Sequence, residues 1–417
     1  MSRRKLKSAA PNLVSVTNSR SPVAGDHLFF NKGSKPMNDA YAFSTSFDED
    51  AFNLYNSLPR KSQRAIKRLM DFELSSTHGF LLRRKRFKEM YAFDWQTRRL
   101  LSMLLQTEYP IIKGEGLPNI FESQSDVAGA VATLEKNGYA VSSNKLTAKL
   151  PMDELQFQSK DKTSQPLSGK VLLEAMEQNN PDKLAGTYWL KDQNTAAQMP
   201  EFARIAFDPY ILSVVSGYLG CTPIHVQTNL WFSFAGEQDH KTLSRNAQFF
   251  HQDKEFVKFI KVFIYLNDVT TENGPHCYIE GSHIDELNQH GIPYSTRLSD
   301  EQVLGIYGED KLRIVEGEAG TIIFGDTVAA HKGLPLKKGS RLMLQLEYAA
   351  SLYMSPVCPF GNLSSEAKEA IHPGVLKQGR LFANYGDASM REYQAIPAKK
   401  LKPKRALLKV LGSYLSQ

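Results

Sequence analysis

After Gly220 the hydrophobic period of the sequence changes. Upstream, Pro200 to Leu219 reads as helix, broken near Asp208-Pro209 and stopped at Gly220. Downstream, Ile224 to Ser233 alternates: Ile224, Val226, Thr228, Leu230 and Phe232 fall on one face, His225, Gln227, Asn229 and Trp231 on the other. Residues 257–266, 321–324 and 342–348 are further strand candidates, divided by Gly, Pro and Asn turns rather than by alternating helices. Strands so arranged close into an antiparallel sandwich or barrel, so residues 221–350 are expected to form a mainly β core with flanking helices.

The flanks read differently. Residues 1–50, rich in Ser, Asn, Pro and Gly without sustained periodicity, are expected to be a disordered leader. Residues 51–120 read as a basic helical extension, with Ile66, Leu69, Met70 and Phe72, then Phe87, Met90 and Tyr91, at helical spacing. The run Arg83 to Arg86 inside it is best read as a solvated helix face. A helix is expected from Ser125 to Lys136, capped by Ser123 or Ser125 and stopped at Asn137-Gly138, before a short strand Tyr139 to Val141. Residues 151–200 are polar and turn-rich, with a weak helical stretch from Leu172 to Met176. The main domain is placed at 121–395. Residues 396–417 form a basic amphipathic tail, expected to dock on its own domain or on a partner.

Charge, split along the chain, locates the bases. The formal net charge of the 417 residues is +7, but residues 1–110 carry +9 and residues 396–417 carry +6, which leaves −8 for the middle. An acidic body with basic ends does not suit a dedicated nucleic-acid surface, which needs its cations on the working face. Three widely spaced cysteines (Cys221, Cys277, Cys358) without a CxxC pair indicate neither a disulfide framework nor a thiolate zinc site. No apolar run is long enough for a membrane span, and no apolar segment follows the basic Met1 to Lys7. A cytoplasmic location is expected; the alternative is mitochondrial, with residues 1–25, which hold five Arg/Lys and no acid before Asp26, as a presequence.

The chemistry lies within the β region. In Phe250-His251-Gln252-Asp253, residues two apart on an extended strand share a face, so His251 and Asp253 present an imidazole and a carboxylate to one point. His331, just past the strand at 321–324, is the candidate third ligand. Two histidines and one carboxylate form the facial triad of non-haem Fe(II) oxygenases, with coordination positions left open for cosubstrate and dioxygen. Ten residues after His331 stands Arg341. A guanidinium in a β interior wants a carboxylate, and where the protein supplies none, 2-oxoglutarate can. An HxD, a lone His or a lone Arg has a plainer structural explanation; their order and spacing in one β-rich segment make the pattern specific.

Residues 251–283, HQDKEFVKFIKVFIYLNDVTTENGPHCYIEGSH, resemble the phytanoyl-CoA dioxygenase family in their HxD, their Tyr-Leu-x-Asp-Val turn, their Asn-Gly-Pro and their Gly-Ser-His. LEKNGYAV (134–141), FARIAFDPYILSVVSGYLGCTP (202–223), AGTIIFGDTVAAHKG and GSRLMLQLEYA extend the similarity over roughly residues 125–350. The resemblance implies a double-stranded β-helix (jelly roll, cupin-like) and Fe(II) held by His251, Asp253 and His331. It also implies 2-oxoglutarate clamped by Arg341, and hydroxylation of a C–H in a small-molecule or lipid-like metabolite with release of succinate and CO2, stimulated by ascorbate. Halogenating relatives carry a small residue in place of the carboxylate, so Asp253 favours hydroxylation. The alternative is a catalytically silent member that binds metal or 2-oxoglutarate as a sensor or scaffold. Gln227 and Asn229 are further candidates to line the cosubstrate site, Trp231 and Lys261 the substrate pocket, with a place at the rim the plainer reading of Lys261. His276 and His283 fit less well as ligands than His331. Residues 284–318, with eight acids against Arg297, Lys311 and Arg313, are read as a surface loop or a lid.

Overall fold

The strand candidates lie side by side in one antiparallel sheet. The computed structural model describes residues 46–74, 92–114, 120–121, 126–159, 165–178, 184–236, 248–294, 296–353 and 360–386. The strands are β1 (Tyr139–Lys145), β2 (Gln156–Ser159), β3 (Leu167–Ser168), β4 (Gly186–Leu190), β5 (Ile224–Phe234), β6 (Phe259–Tyr265), β7 (His276–Ile279), β8 (Leu312–Val315), β9 (Thr321–Gly325), β10 (His331–Gly333) and β11 (Ser340–Ala349). Eight form a sheet in the order β1-β9-β6-β11-β5-β4-β2-β3, and three form a second in the order β10-β7-β8. The polar 151–200 region, read as turns, supplies β2, β3 and β4: two of these are only two and four residues long, too short for a period to show.

Side-chain alternation divides the large sheet into two faces. Leu230, Phe232, Val262, Ile264, Ile322, Phe324, Leu342, Leu344 and Leu346 pack against helices, whereas Trp231, Phe263, Tyr265, Ile323 and Met343 turn inward and meet Tyr278 and Val315 of the small sheet. The outer face of the small sheet is covered by residues 287–307: Leu287, Leu298 and Val303 pack on Phe250, Cys277, Ile279 and Ile314. The segment read as loop or lid thus contains the helix Asp300–Tyr307, with a capping box from Ser299 and Gln302, and forms an outer layer.

The helices end where the sequence says, with one change of cap. Pro200–Ala206 and Pro209–Leu219 are separate helices; Asp208 caps the second by accepting from Tyr210 N and Ile211 N, and Gly220 closes it at φ 75°. Val127–Asn137 is capped by Asp126, which accepts from Gly129 N, rather than by either serine. The N-terminal region is helical, over Ser46–Ser57, Arg60–Leu74 and Trp95–Glu108, and shares the main core through Tyr55, Ile66, Leu69, Leu100, Leu101 and Leu104. Its polar contacts are buried as well. Arg98 Nη2 lies 2.9 Å from Glu286 Oε1 and donates to His283 O at 2.8 Å, and Glu73 receives Arg380 Nη1 at 2.9 Å. Arg83 to Arg86, residues 1–45 and the tail fall outside the described residues. No helix among the described residues is long and apolar enough to cross a membrane.

A β-bulge changes one expected face. Glu347 of β11 is opposite Gln227, but Tyr348 is opposite His225, so Val226 is the extra residue. His225 is thereby turned toward the helices, where Nδ1 meets Tyr385 Oη at 2.7 Å and Nε2 meets Thr228 Oγ1 at 3.1 Å. Burial pushes this imidazole down to about 3. Between pH 6.5 and that value the unfolded chain takes up a proton that the folded chain refuses, so stability falls as pH falls, by about 1.4 kcal/mol per unit from this group. Denaturant titrations across that window are expected to show a slope shallower by about one proton in His225→Gln than in the parent chain.

Candidate metal centre

His251 and His331 stand opposite each other across an antiparallel bridge and exchange both backbone hydrogen bonds, at 3.0 and 2.9 Å. Directly paired residues send their side chains to the same face, so the ladder itself brings the two imidazoles together, with ring centroids 4.2 Å apart. Asp253 is held two residues on by its backbone N–H, which donates to Thr327 O at 2.8 Å. Its Oδ1 is 3.8 Å from His251 Nε2 and its Oδ2 is 3.5 Å from His331 Nε2. One ligand atom from each of the three residues lies within 4.8 Å of the others.

Hydrogen bonding prepares these groups for a cation. Each histidine donates Nδ1–H to a backbone carbonyl, His251 to Phe249 O and His331 to Ala329 O, both at 2.9 Å. Each Nε2 lone pair is therefore aimed at the common point. Burial, reinforced by His331, pushes His251 well below its ordinary pKa, so it is a neutral ligand. Burial alone would raise the Asp253 carboxyl; the Lys261 ammonium at 2.8 Å and the two imidazoles outweigh it and hold the carboxyl well below the usual range. Two neutral nitrogens and one carboxylate fit a divalent transition metal. Adding Mn(II) at a hundred times its dissociation constant is expected to stabilise the protein by about 2.7 kcal/mol, roughly 3–4 °C in melting temperature. A chelator should reverse the shift, and His331→Ala should not show it.

Arg341 is on the inward face of β11, which it shares with Met343. It is 6 % exposed; Nη1 donates to Gly274 O, Nε has no hydrogen-bond partner, and no carboxylate among the described residues pairs with it. A Cβ on Gly333 would come within 3.5 Å of Arg341 Nη1 and 3.6 Å of Nη2, so glycine at this place keeps the guanidinium open. Gly333 is two residues along β10 from His331, about 6–7 Å at strand rise.

Four of the other residues singled out in the sequence, Gln227, Asn229, Trp231 and Lys261, lie on β5 and β6, the two strands that flank β11. Gln227 accepts from Gln345 Nε2, Asn229 Oδ1 accepts from Leu230 N at 2.9 Å, and Trp231 packs on Trp189 at 4.6 Å. Lys261 is not at a rim: it is buried, donates to Asp253 Oδ2 at 2.8 Å and forms an ion pair with Glu255 at 2.8 Å. His283 lies apart from the cluster, its Nε2 on Glu135 O at 3.1 Å and its ring against Trp95. Sequence reasoning passes over Glu255, Gln345 and Glu347. The last two are legible in the strand period, because every second residue of β11 from Arg341, namely Met343, Gln345 and Glu347, shares its face.

A mainly antiparallel double-stranded β-helix with flanking helices, holding two histidines and one carboxylate around a point, defines the class as a jelly-roll oxygenase domain. Residues 134–341 match the sequence model of the phytanoyl-CoA dioxygenase (PhyH) family, and the chain belongs to that family through this domain. No curated protein sequence matches the chain. Among solved structures, AviO1 from Streptomyces viridochromogenes Tue57 is 14% identical, over 55% of this chain and 96% of its own, with a TM-score of 0.35. EctD from S. alaskensis with bound Fe is 19% identical, over 56% and 81%, at 0.34. HygX from Streptomyces hygroscopicus with nickel and 2-oxoglutarate bound is 19% identical, over 53% and 85%, at 0.32.

Proposed function

We propose that this protein is an Fe(II)- and 2-oxoglutarate-dependent dioxygenase that hydroxylates a C–H of a small-molecule or lipid-like metabolite, releasing succinate and CO2. The observation that carries the reading is a pair: a His251–Asp253–His331 cluster with both Nε2 atoms turned to one point, and a buried Arg341 without a carboxylate partner beside Gly333, two strand residues beyond His331. Family membership supports the same chemistry. Bound iron would supply dioxygen activation driven by decarboxylation of the 2-oxo acid.

The protein's residues perform the rest. His251 and His331 would hold the metal through their Nε2 atoms and Asp253 through a carboxylate oxygen. Lys261 keeps Asp253 anionic and oriented. Arg341 receives the distal carboxylate of 2-oxoglutarate, fixing its 2-oxo end toward the histidines. Trp231, Phe263, Tyr265 and Met343 form the apolar lining that excludes water. The family name does not identify the substrate, because specificity resides in pocket side chains and not in the fold.

The test is turnover. The purified full chain with Fe(II), ascorbate and 2-oxoglutarate is expected to form succinate slowly alone and faster with a metabolite extract containing its substrate, whose mass rises by one oxygen. Binding of metal and 2-oxoglutarate without succinate in either condition would replace the enzymatic reading with a silent sensor or scaffold.

A further inference from the structure

His276 is absorbed by neither the metal site nor the core. It begins β7, is 6 % exposed, and is opposite Gly333 in the ladder, while Tyr278 is opposite His331. Residues two apart share a face, so His276 and Tyr278 both face the side on which His331 sits. The imidazole crosses the interior to Phe263 of the large sheet, with ring centroids 4.2 Å apart. Its backbone N–H donates to Tyr265 Oη at 3.0 Å and its Nδ1 is 3.4 Å from Tyr278 Oη. Among the described residues no side chain bonds its Nε2. Its ladder partner Gly333 is the residue whose Cβ position lies 3.5 Å from Arg341 Nη1 and 3.6 Å from Nη2, so His276 stands beside the strand position that faces the guanidinium.

We infer that His276 is a positioning residue for the cosubstrate, donating Nε2–H to the distal carboxylate of 2-oxoglutarate beside the Arg341 guanidinium. The inference rests on the proposed cosubstrate and adds a second donor to its site. A planar guanidinium alone leaves a carboxylate free to swing in its plane. A donor from the opposite sheet, fixed by Phe263 and Tyr278, removes that freedom and ties the two sheets through the ligand. Gly274, whose carbonyl accepts from Arg341 Nη1, is two residues from His276, so one short segment orients both donors.

The experiment is calorimetric titration of the full chain loaded with Mn(II), which holds the site without turnover. 2-Oxoglutarate is expected to bind about 10- to 100-fold more weakly to His276→Leu, the range of one lost hydrogen bond to a charged group, and His276→Gln is expected to recover part of the loss. Oxalate chelates the metal but does not reach Arg341, so its affinity should be unchanged in both variants, as should Mn(II) affinity. Unchanged 2-oxoglutarate affinity in His276→Leu, or oxalate weakened as much as 2-oxoglutarate, overturns the inference. Should His276→Leu fail to fold, His276→Gln decides: 2-oxoglutarate must bind more tightly to it than to His276→Asn, whose amide is too short. Failure of the parent protein to bind 2-oxoglutarate is a different outcome, which removes the proposed function itself.

Discussion

Asp253→Ala is expected to lower 2-oxoglutarate turnover to background and to weaken Mn(II) or Fe(II) binding by well over the roughly 100-fold that loss of an outer-sphere partner can reach. The substitution removes the single anionic ligand and leaves two neutral imidazoles facing a dication, with the Lys261 ammonium still nearby. Lys261 retains Glu255 at 2.8 Å, so the variant keeps a partner for its buried cation and is expected to fold. Asp253→Asn separates shape from charge: it keeps the backbone geometry set by Thr327 O but neither neutralises the metal nor pairs with Lys261. Its metal affinity should fall between the parent and Asp253→Ala, with turnover near background. Metal titration and succinate quantification on the same samples check this, and parent-like turnover in Asp253→Ala would remove this carboxylate from the site.

Arg341→Leu is expected to raise the KM for 2-oxoglutarate by about 10²- to 10⁴-fold with metal affinity little changed. That range follows from two charge-assisted hydrogen bonds at about 1.5–3 kcal/mol each, with about 1.4 kcal/mol per tenfold. Arg341→Lys should lie between, because an ammonium supplies charge without the planar two-pronged geometry. The distinction from Asp253 is the diagnostic: one variant loses the metal, the other keeps the metal and loses the cosubstrate. A KM that does not move in Arg341→Leu would mean the buried guanidinium serves packing alone.

Much of this site is legible in the amino-acid sequence. HxD spacing, a histidine past a strand and an arginine ten residues on are local patterns, and the ladder that joins His251 to His331 makes them meet. What sequence does not show arises from pairing between distant segments. The bulge at Val226 depends on how β5 meets β11, so the expected face of His225 is inverted there while Trp231 keeps its own. Lys261 reads as a rim lysine because nothing local to it says that residue 253 folds back onto its ammonium. The helical region before residue 110 shows its period but not its destination, since the partner of Arg98 is Glu286, 188 positions away in the chain. The short strands at 156–190 carry too few residues for periodicity to declare them.

The central claim is that one site holds a metal and 2-oxoglutarate together, and the direct measurement is anaerobic calorimetric titration of 2-oxoglutarate into the full chain with and without Mn(II). One 2-oxoglutarate per chain is expected to bind, more tightly with the metal present, and 2-oxoglutarate should tighten metal binding by the same factor. No binding, or an affinity indifferent to the metal, would contradict the account.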